Sequence, residues 1–303
     1  MYDYPHKKAF KSGQKILSFI FLASISTIAI SFVAKNKLPQ PEKIVPQMQN
    51  EPIQGEVHYD LDNFTLRHKK RSYVVRPIAD YQLWGMVVTH NNINAFTNMY
   101  HNENSLNIKD ICVIWGENIT NRSYLQMKFK SGEYTCYPDW KTFADKAIAY
   151  QYNGDKLSNN HLLARKKEVL KTIEKIRIGD QVYLKGMLVD YAPEKGKDYD
   201  QAWRKTSISR EDLNETSRSG GACEVFFVEE IKILKQGNAI WYLLYDLGRV
   251  IILLTVILKV IIFFYASHVE YQFFQDKNNI VKEKIIDINP QDNKNSNNNL
   301  LLK

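Results

Sequence analysis

Two long apolar runs divide the chain. Ile16–Ala34 (ILSFIFLASISTIAISFVA) carries no charge, and at ~1.5 Å per helical residue it is long enough to cross the ~30 Å hydrocarbon core of a bilayer. A second run extends from about Ile240 to Ala266. Within it, "DLGRVIILLTVILKVIIFFY" places Asp246 and Arg249 near one end and Lys259 well inside. Asp246 and Arg249 are i,i+3 neighbours and can pair. Lys259 is harder to accommodate, because a central lysine costs about 2.5–3.5 kcal/mol on insertion scales. It must snorkel or find a partner. The first apolar run offers Ser18, Ser24, Ser26, Thr27 and Ser31, which can hydrogen-bond but cannot neutralise a charge. Asp246, Arg249 and Lys259 are therefore candidate contacts to another protein, or to a second copy of the chain.

Between the runs the periodicity changes. Residues 35–58 hold Pro39, Pro41, Pro46 and Pro52 among polar residues and predict an extended linker or a strap over a domain surface. "YQLWGMVVTH" (81–90) and "KDICVIWGEN" (109–118) are short apolar runs rich in aromatic and β-branched residues, the pattern of strands. "SYLQMKFKSGEYTCY" (123–137) alternates and then turns at Ser131-Gly132, predicting a hairpin. "HLLARKKEVLKTIEKI" (161–176) has apolar residues at helical spacing and predicts one amphipathic helix, with Ser158, Asn159 or Asn160 as its N-cap. "QVYLKGMLVDY" (181–191) alternates again, with Gly186 where a strand must bend. "ACEVFFVEEIKIL" (222–234) predicts a last strand leading into the second apolar run.

The order that follows is a cytoplasmic N-terminus (1–15), a transmembrane helix (16–34), a Pro-rich linker (35–58), an α+β domain (59–238), a second transmembrane helix (240–266) and a partly disordered tail (267–303). His6, Lys7, Lys8, Lys11 and Lys15 precede the first helix against Asp3 alone, which by the positive-inside rule puts the N-terminus in the cytoplasm and the main domain outside it. The expected location is a bacterial inner membrane with a periplasmic domain. A net charge of +8 permits binding to nucleic acid or anionic lipid, but the basic residues are scattered and form no block, which argues against direct nucleic-acid binding.

The runs "CVIWGEN", "SGEYTC", "SNNHLL", "GDQVYLKGMLVDY" and "TSISREDL…GGACEVFFVEE" together resemble a family of bacterial membrane-anchored proteins to which no activity is attached, over roughly residues 80–234. "GDQVYLKGMLVDY" is similar to the opening strand of OB-like barrels, where a glycine bends a long strand between two sheets. The resemblance implies an extracytoplasmic OB-like β-barrel and no catalytic residue; such barrels bind oligonucleotides, sugars or proteins.

Candidate chemistry is sparse. Cys112 and Cys136 lie on strands expected to be adjacent and can form a disulfide, leaving Cys223. Cys223 with His161 as base, the ring oriented by Asn160 or Asp190, is a possible nucleophile pair; no local signature supports it, and a thiol opening an apolar strand reads first as core. Asn160 and His161 open a segment that could hold an anion. In 203–224, Arg204, Thr206, Ser207, Arg210 and Arg218 could bind phosphate or carboxylate, with Asp212 and Glu224 available to neutralise them internally. No CxxC or HxxxH spacing suggests a metal site, and no cofactor is implied. These features favour a non-enzymatic subunit or accessory protein of an envelope complex. The alternatives are an envelope hydrolase using the 203–224 loop with His161, or a membrane ligand sensor.

Overall fold

The computed structural model describes residues 7–58, 61–68, 71–93, 106–132, 135–194, 203–207 and 222–288. It is a mixed α+β structure, with two long apolar helices and a sheet domain between them in sequence. The elements are α1 (Lys7–Lys35), β1 (Ile53–Val57), β2 (Phe64–His68), β3 (Arg71–Asn92), β4 (Lys109–Ile114) and α2 (Glu117–Thr120). They continue as β5 (Met127–Ser131), β6 (Cys136–Trp140), α3 (Lys146–Ala149), β7 (Leu157–Leu163), α4 (Lys167–Lys175), β8 (Gln181–Pro193), β9 (Ala222–Lys235) and α5 (Ala239–Ile288). Two compact units result, one of residues 1–32 with 242–303 and one of residues 33–241.

In the helical unit, α1 and α5 are both long and apolar enough to cross a membrane. Small side chains let them meet: Ser24, Ser31 and Thr255 are buried along the seam, and a Cβ on Gly248 would come within 2.8 Å of Ile28. Lys259 falls on this seam. Its ammonium donates to Ser18 Oγ at 2.9 Å and its carbonyl accepts from Gln14 Nε2 at 3.3 Å, hydrogen bonds that leave its charge unneutralised. Asp246 and Arg249 approach to 3.7 Å on an exposed surface. Helix α5 runs 50 residues, far past the expected end at 266, because "EYQFFQDKNNIVKEK" has no Pro or Gly to stop it. Residues 289–303 of the expected tail lie outside the described residues.

In the sheet unit, β3 pairs antiparallel with β4 and β8, β4 with β7, and β8 with β9, while β7 and β9 run parallel. Each of these five strands pairs with two of the others. The 22-residue β3 serves β1, β2, β4 and β8 along its length by changing register at Pro77/Ala79 and Val87/Thr89; a proline cannot donate to a ladder and sits well at such a break. "GDQVYLKGMLVDY" is thus β8, preceded by three strands of the set. Gly186 stands where β8 shifts register against β9. A Cβ there would lie 2.1 Å from Phe227 O, so only glycine admits the close strand approach.

Side-chain alternation splits β4, β7 and β9 into two faces. One contributes Ile111, Val113, Leu162, Phe226 and Val228 to a core closed by Val169, Ile173 and Ile176 from α4 and its end. The opposite face packs at one end on Leu66, Tyr73, Leu163, Tyr191, Val225 and Phe227. At the other end it packs on Met48, Cys112, Ile114, Tyr124, Cys136 and Leu157.

One expectation needs correcting and two gain sharper form. Ser158, Asn159, Asn160 and His161 lie in strand β7, and α4 spans only Lys167–Lys175 behind Lys166 as N-cap. Hydrogen bonding on both sides, to β4 and β9, overrides the local helical spacing. Residues 35–58 follow the second of their two expected forms, a strap over the domain: Met48 is buried, Val45 N donates to Gln181 Oε1 at 2.6 Å, and Tyr124 OH donates to Pro39 O at 2.7 Å. The hairpin is Met127–Ser131 with Cys136–Trp140, while Ser123–Gln126 forms a 3-10 turn. Cys112 and Cys136 are joined as a disulfide, which ties this separate hairpin to β4.

Candidate thiol–imidazole–carboxylate site

Strands β4, β7 and β9 are neighbours, and their registers line up three side chains on the face away from α4. Asp110 pairs with His161 across β4 and β7, and Cys223 pairs with Asn159, one step along β7 on the same face. The result is a row. Asp110 Oδ1 lies 2.8 Å from His161 Nδ1, and His161 Nε2 lies 2.9 Å from Cys223 Sγ. The imidazole thus has a carboxylate on one nitrogen and a thiol on the other, the arrangement of an orienter, a base and a nucleophile.

A second layer holds the row. Asn107 Nδ2 donates to Asp110 Oδ1 at 3.3 Å, and Tyr191 OH donates to Asn107 Oδ1 at 3.2 Å. Arg204 bridges to Tyr191 through both backbone groups, and the Arg76 guanidinium stacks 4.2 Å from the ring centre of the preceding Trp203. Arg204 Nη2 then reaches 2.7 Å from His161 Nε2 and 3.8 Å from Cys223 Sγ. Ser207 clamps the Cys223 backbone, its amide and hydroxyl donating to Cys223 O and its hydroxyl accepting from Cys223 N. His161 is fully buried while Cys223 is half-buried, so the thiol is the member open to approach.

The charges favour an ion pair. Burial works against protonation of His161, but the adjacent Asp110 charge and its hydrogen bond, with further help from Cys223, raise the imidazole to about 9. Burial also pushes the Cys223 thiol up, yet the hydrogen bond and charge of His161, joined by Arg204, bring it below its ordinary value. A guanidinium only donates, so its 2.7 Å contact to Nε2 suits the neutral ring, while its 3.8 Å contact to Sγ suits the thiolate of the ion pair. Either way the four groups sum to zero charge.

The sequence-predicted residues divide between the two faces. His161, Arg204 and Ser207 converge on Cys223. Asn160 and Glu224 are register partners on the opposite face, where Asn160 Nδ2 donates to Ser158 Oγ at 2.8 Å. Asn160 Oδ1 and Glu224 Oε2 are buried there without a partner among the described residues. Burial, and then the Cys223 charge, raise Glu224 to about 8. Asp190 accepts from Thr206 N at 2.9 Å and does not orient the histidine; that part is taken by Asp110, which sequence reading missed. Its signal was a carboxylate inside the apolar run "KDICVI". Arg210, Asp212 and Arg218 lie outside the described residues. Among the described residues no group of His, Cys, Asp and Glu is arranged to hold a metal ion. No family model matches the chain, and neither a curated protein nor a solved structure does.

Proposed function

We propose that the chain is a membrane-anchored thiol enzyme that transfers or hydrolyses an acyl group outside the cytoplasm, a specific form of the envelope-hydrolase alternative. The observation that carries it is the Asp110–His161–Cys223 row at 2.8 and 2.9 Å. The Cys223 thiolate attacks a carbonyl carbon, and the C–S bond forms as the carbonyl oxygen takes the negative charge beside the Arg204 guanidinium. Collapse expels the leaving group, which takes the proton from His161 Nε2. Water or an acceptor hydroxyl or amine, giving its proton to His161, then attacks the thioester and releases the thiol.

The lysines that precede the apolar run 16–34 support a cytoplasmic N-terminus and an extracytoplasmic sheet unit, and the Cys112–Cys136 disulfide, a bond suited to an oxidising compartment, supports the same reading of a bacterial inner membrane with a periplasmic domain. The ring of pairings among β3, β4, β7, β9 and β8, with α4 between its third and fourth strands in chain order, supports an OB-like barrel. To test the enzyme, full-length protein in detergent is mixed with p-nitrophenyl acetate near pH 7 and the peptides are weighed. The reading expects acetylation at Cys223, slowed at least tenfold by His161→Gln. If Cys223 reacts with a disulfide reagent but never carries an acyl group, the thiol is reactive and the enzyme reading fails.

A second reading, a subunit that binds a protein partner or a second copy, draws on the exposed Tyr271, Phe274, Ile280 and Val281 of α5 beyond the apolar span. Photocrosslinking from position 274 in native membranes tests it; the absence of any polypeptide adduct counts against it.

A further inference from the structure

The partner that Lys259 was expected to find outside the chain has a different chemistry. Lys259 lies ~30 Å along α5 from Ala239 by the helical rise. Its contacts to Ser18 and Gln14 fix the same level on α1, next to the basic stretch that precedes the first apolar run. Lys259 therefore stands at the inner edge of the span and not at its centre. Phe263, Phe264 and Tyr265 follow it, as aromatic residues do at a membrane interface, and Phe10 meets Tyr265 edge-on with ring centres 5.7 Å apart.

At this level α1 and α5 border an open groove of about 500 Å³. Lys11, Lys15 and Lys259 line it together with Gln14, and Phe10 and Phe263 supply apolar wall. No carboxylate lines it among the described residues. Lys11 and Lys15 bring two cationic side chains to this groove, and Lys259 lines it while its ammonium donates to Ser18 Oγ at 2.9 Å, so the lining carries three lysines among hydrocarbon and amide.

We infer that this groove binds the phosphate of an anionic phospholipid of the inner leaflet, its acyl chains lying along the apolar walls. A headgroup phosphate supplies the missing negative charge, and the lipid tails cover apolar surface that a free anion would leave bare. Depth and composition both fit: basic pockets between helices on the cytoplasmic side select anionic headgroups by charge at close range. The site is independent of the thiol chemistry. It rests on the proposed membrane topology alone.

The test uses the full chain in nanodiscs of phosphatidylcholine doped with phosphatidylglycerol, extracted into mild detergent and examined by native mass spectrometry for retained lipid. Wild-type protein is expected to retain phosphatidylglycerol in preference to phosphatidylcholine. Each lysine near such a headgroup is worth about a fivefold change in affinity, so Lys259→Gln should lower retention about fivefold and the triple Lys→Gln variant more than a hundredfold. Lys→Arg at all three positions should keep the preference. Equal retention of the two lipids by wild type, or a preference that survives the triple Lys→Gln change, overturns the site. So does a photocrosslink from position 262 that captures an acidic polypeptide in place of lipid, and so does release of the bound species by inorganic phosphate at millimolar levels. A chain whose helices do not span a membrane shows earlier, as protein that never enters the discs.

Discussion

Asp110→Asn is the most informative single change, because asparagine keeps the shape of the side chain and removes its charge. In the wild type, Asp110 lies 2.8 Å from a fully buried imidazole and holds His161 protonated up to about pH 9 against an ordinary 6.5. That difference corresponds to about 3 kcal/mol. Without the carboxylate, burial wins and His161 is neutral at pH 7, so Cys223 loses the imidazolium that stabilises its thiolate. If about two-thirds of the 3 kcal/mol is lost from the thiolate, its population near pH 6 falls about thirtyfold. A more basic thiolate is also more nucleophilic, with a Brønsted slope of about 0.4–0.5, which returns about fivefold. The net expectation is an approximately sixfold slower alkylation by iodoacetamide at pH 6, converging with wild type above pH 10. Because Cys112 and Cys136 are tied in a disulfide, mass spectrometry of the intact protein reads Cys223 directly. A wild-type profile with one inflection near the ordinary thiol value of about 8.5, unchanged in Asp110→Asn, refutes the activated-thiol reasoning.

Two further consequences concern stability. Reducing the Cys112–Cys136 bond, or replacing both residues by alanine, opens a loop with a sequence separation of 24 and should cost about 3 kcal/mol. For a domain of this size that lowers Tm by about 6–12 °C, read by calorimetry under reducing and oxidising conditions, with Cys223 reactivity unaltered. Gly186→Ala drives a Cβ to 2.1 Å from Phe227 O; a loss of at least 2 kcal/mol is expected, and a urea midpoint equal to wild type would mean that β8 and β9 do not meet as described.

What could be read from the sequence was whatever depends on neighbours along the chain. The two apolar helices, the last strand leading into the second of them and the bend at Gly186 all follow from local pattern. The site depended on register, which alternation alone does not set. Ser158, Asn159, Asn160 and His161 look like a helix cap when read forward into "LLARKKEVL". Only the pairing of β7 with β4 and β9 turns them into a strand whose alternate side chains face opposite ways. Asp110, more than fifty positions before His161, becomes its partner through that same pairing. The pairing of Cys223 with His161 was within reach of sequence reasoning; the third member was not, because Asp190 and Asn160 were as plausible as Asp110 until the strands were placed.

The same alternation puts a second polar pair back to back with the first, and Glu224→Gln examines the link between them. Glu224 adjoins Cys223 in the chain but faces the opposite side of β9, where burial, and then the thiolate charge, raise its carboxyl to about 8 from 4.5. A folded-state value above the unfolded one means that the folded protein binds this proton more tightly. Below pH 4.5 both states hold the proton and Glu224 costs nothing. Between 4.5 and 8 the unfolded chain ionises alone, so stability falls as pH rises, and above 8 the loss is complete. For a fully buried group it reaches about 5 kcal/mol. Glutamine has no such proton to lose and has an amide to offer the unpartnered Asn160 Oδ1. Glu224→Gln should therefore leave stability at pH 4.5 unchanged and raise it at pH 8 by about 2–5 kcal/mol, measured by urea unfolding at the two values. Cys223 should alkylate at least as fast in the variant, since a carboxylate that ionises beside it would only oppose the thiolate. Glutamine and glutamate proteins of equal stability at pH 8 would show that Glu224 is already ionised and paired, and that the two faces of the sheet do not communicate.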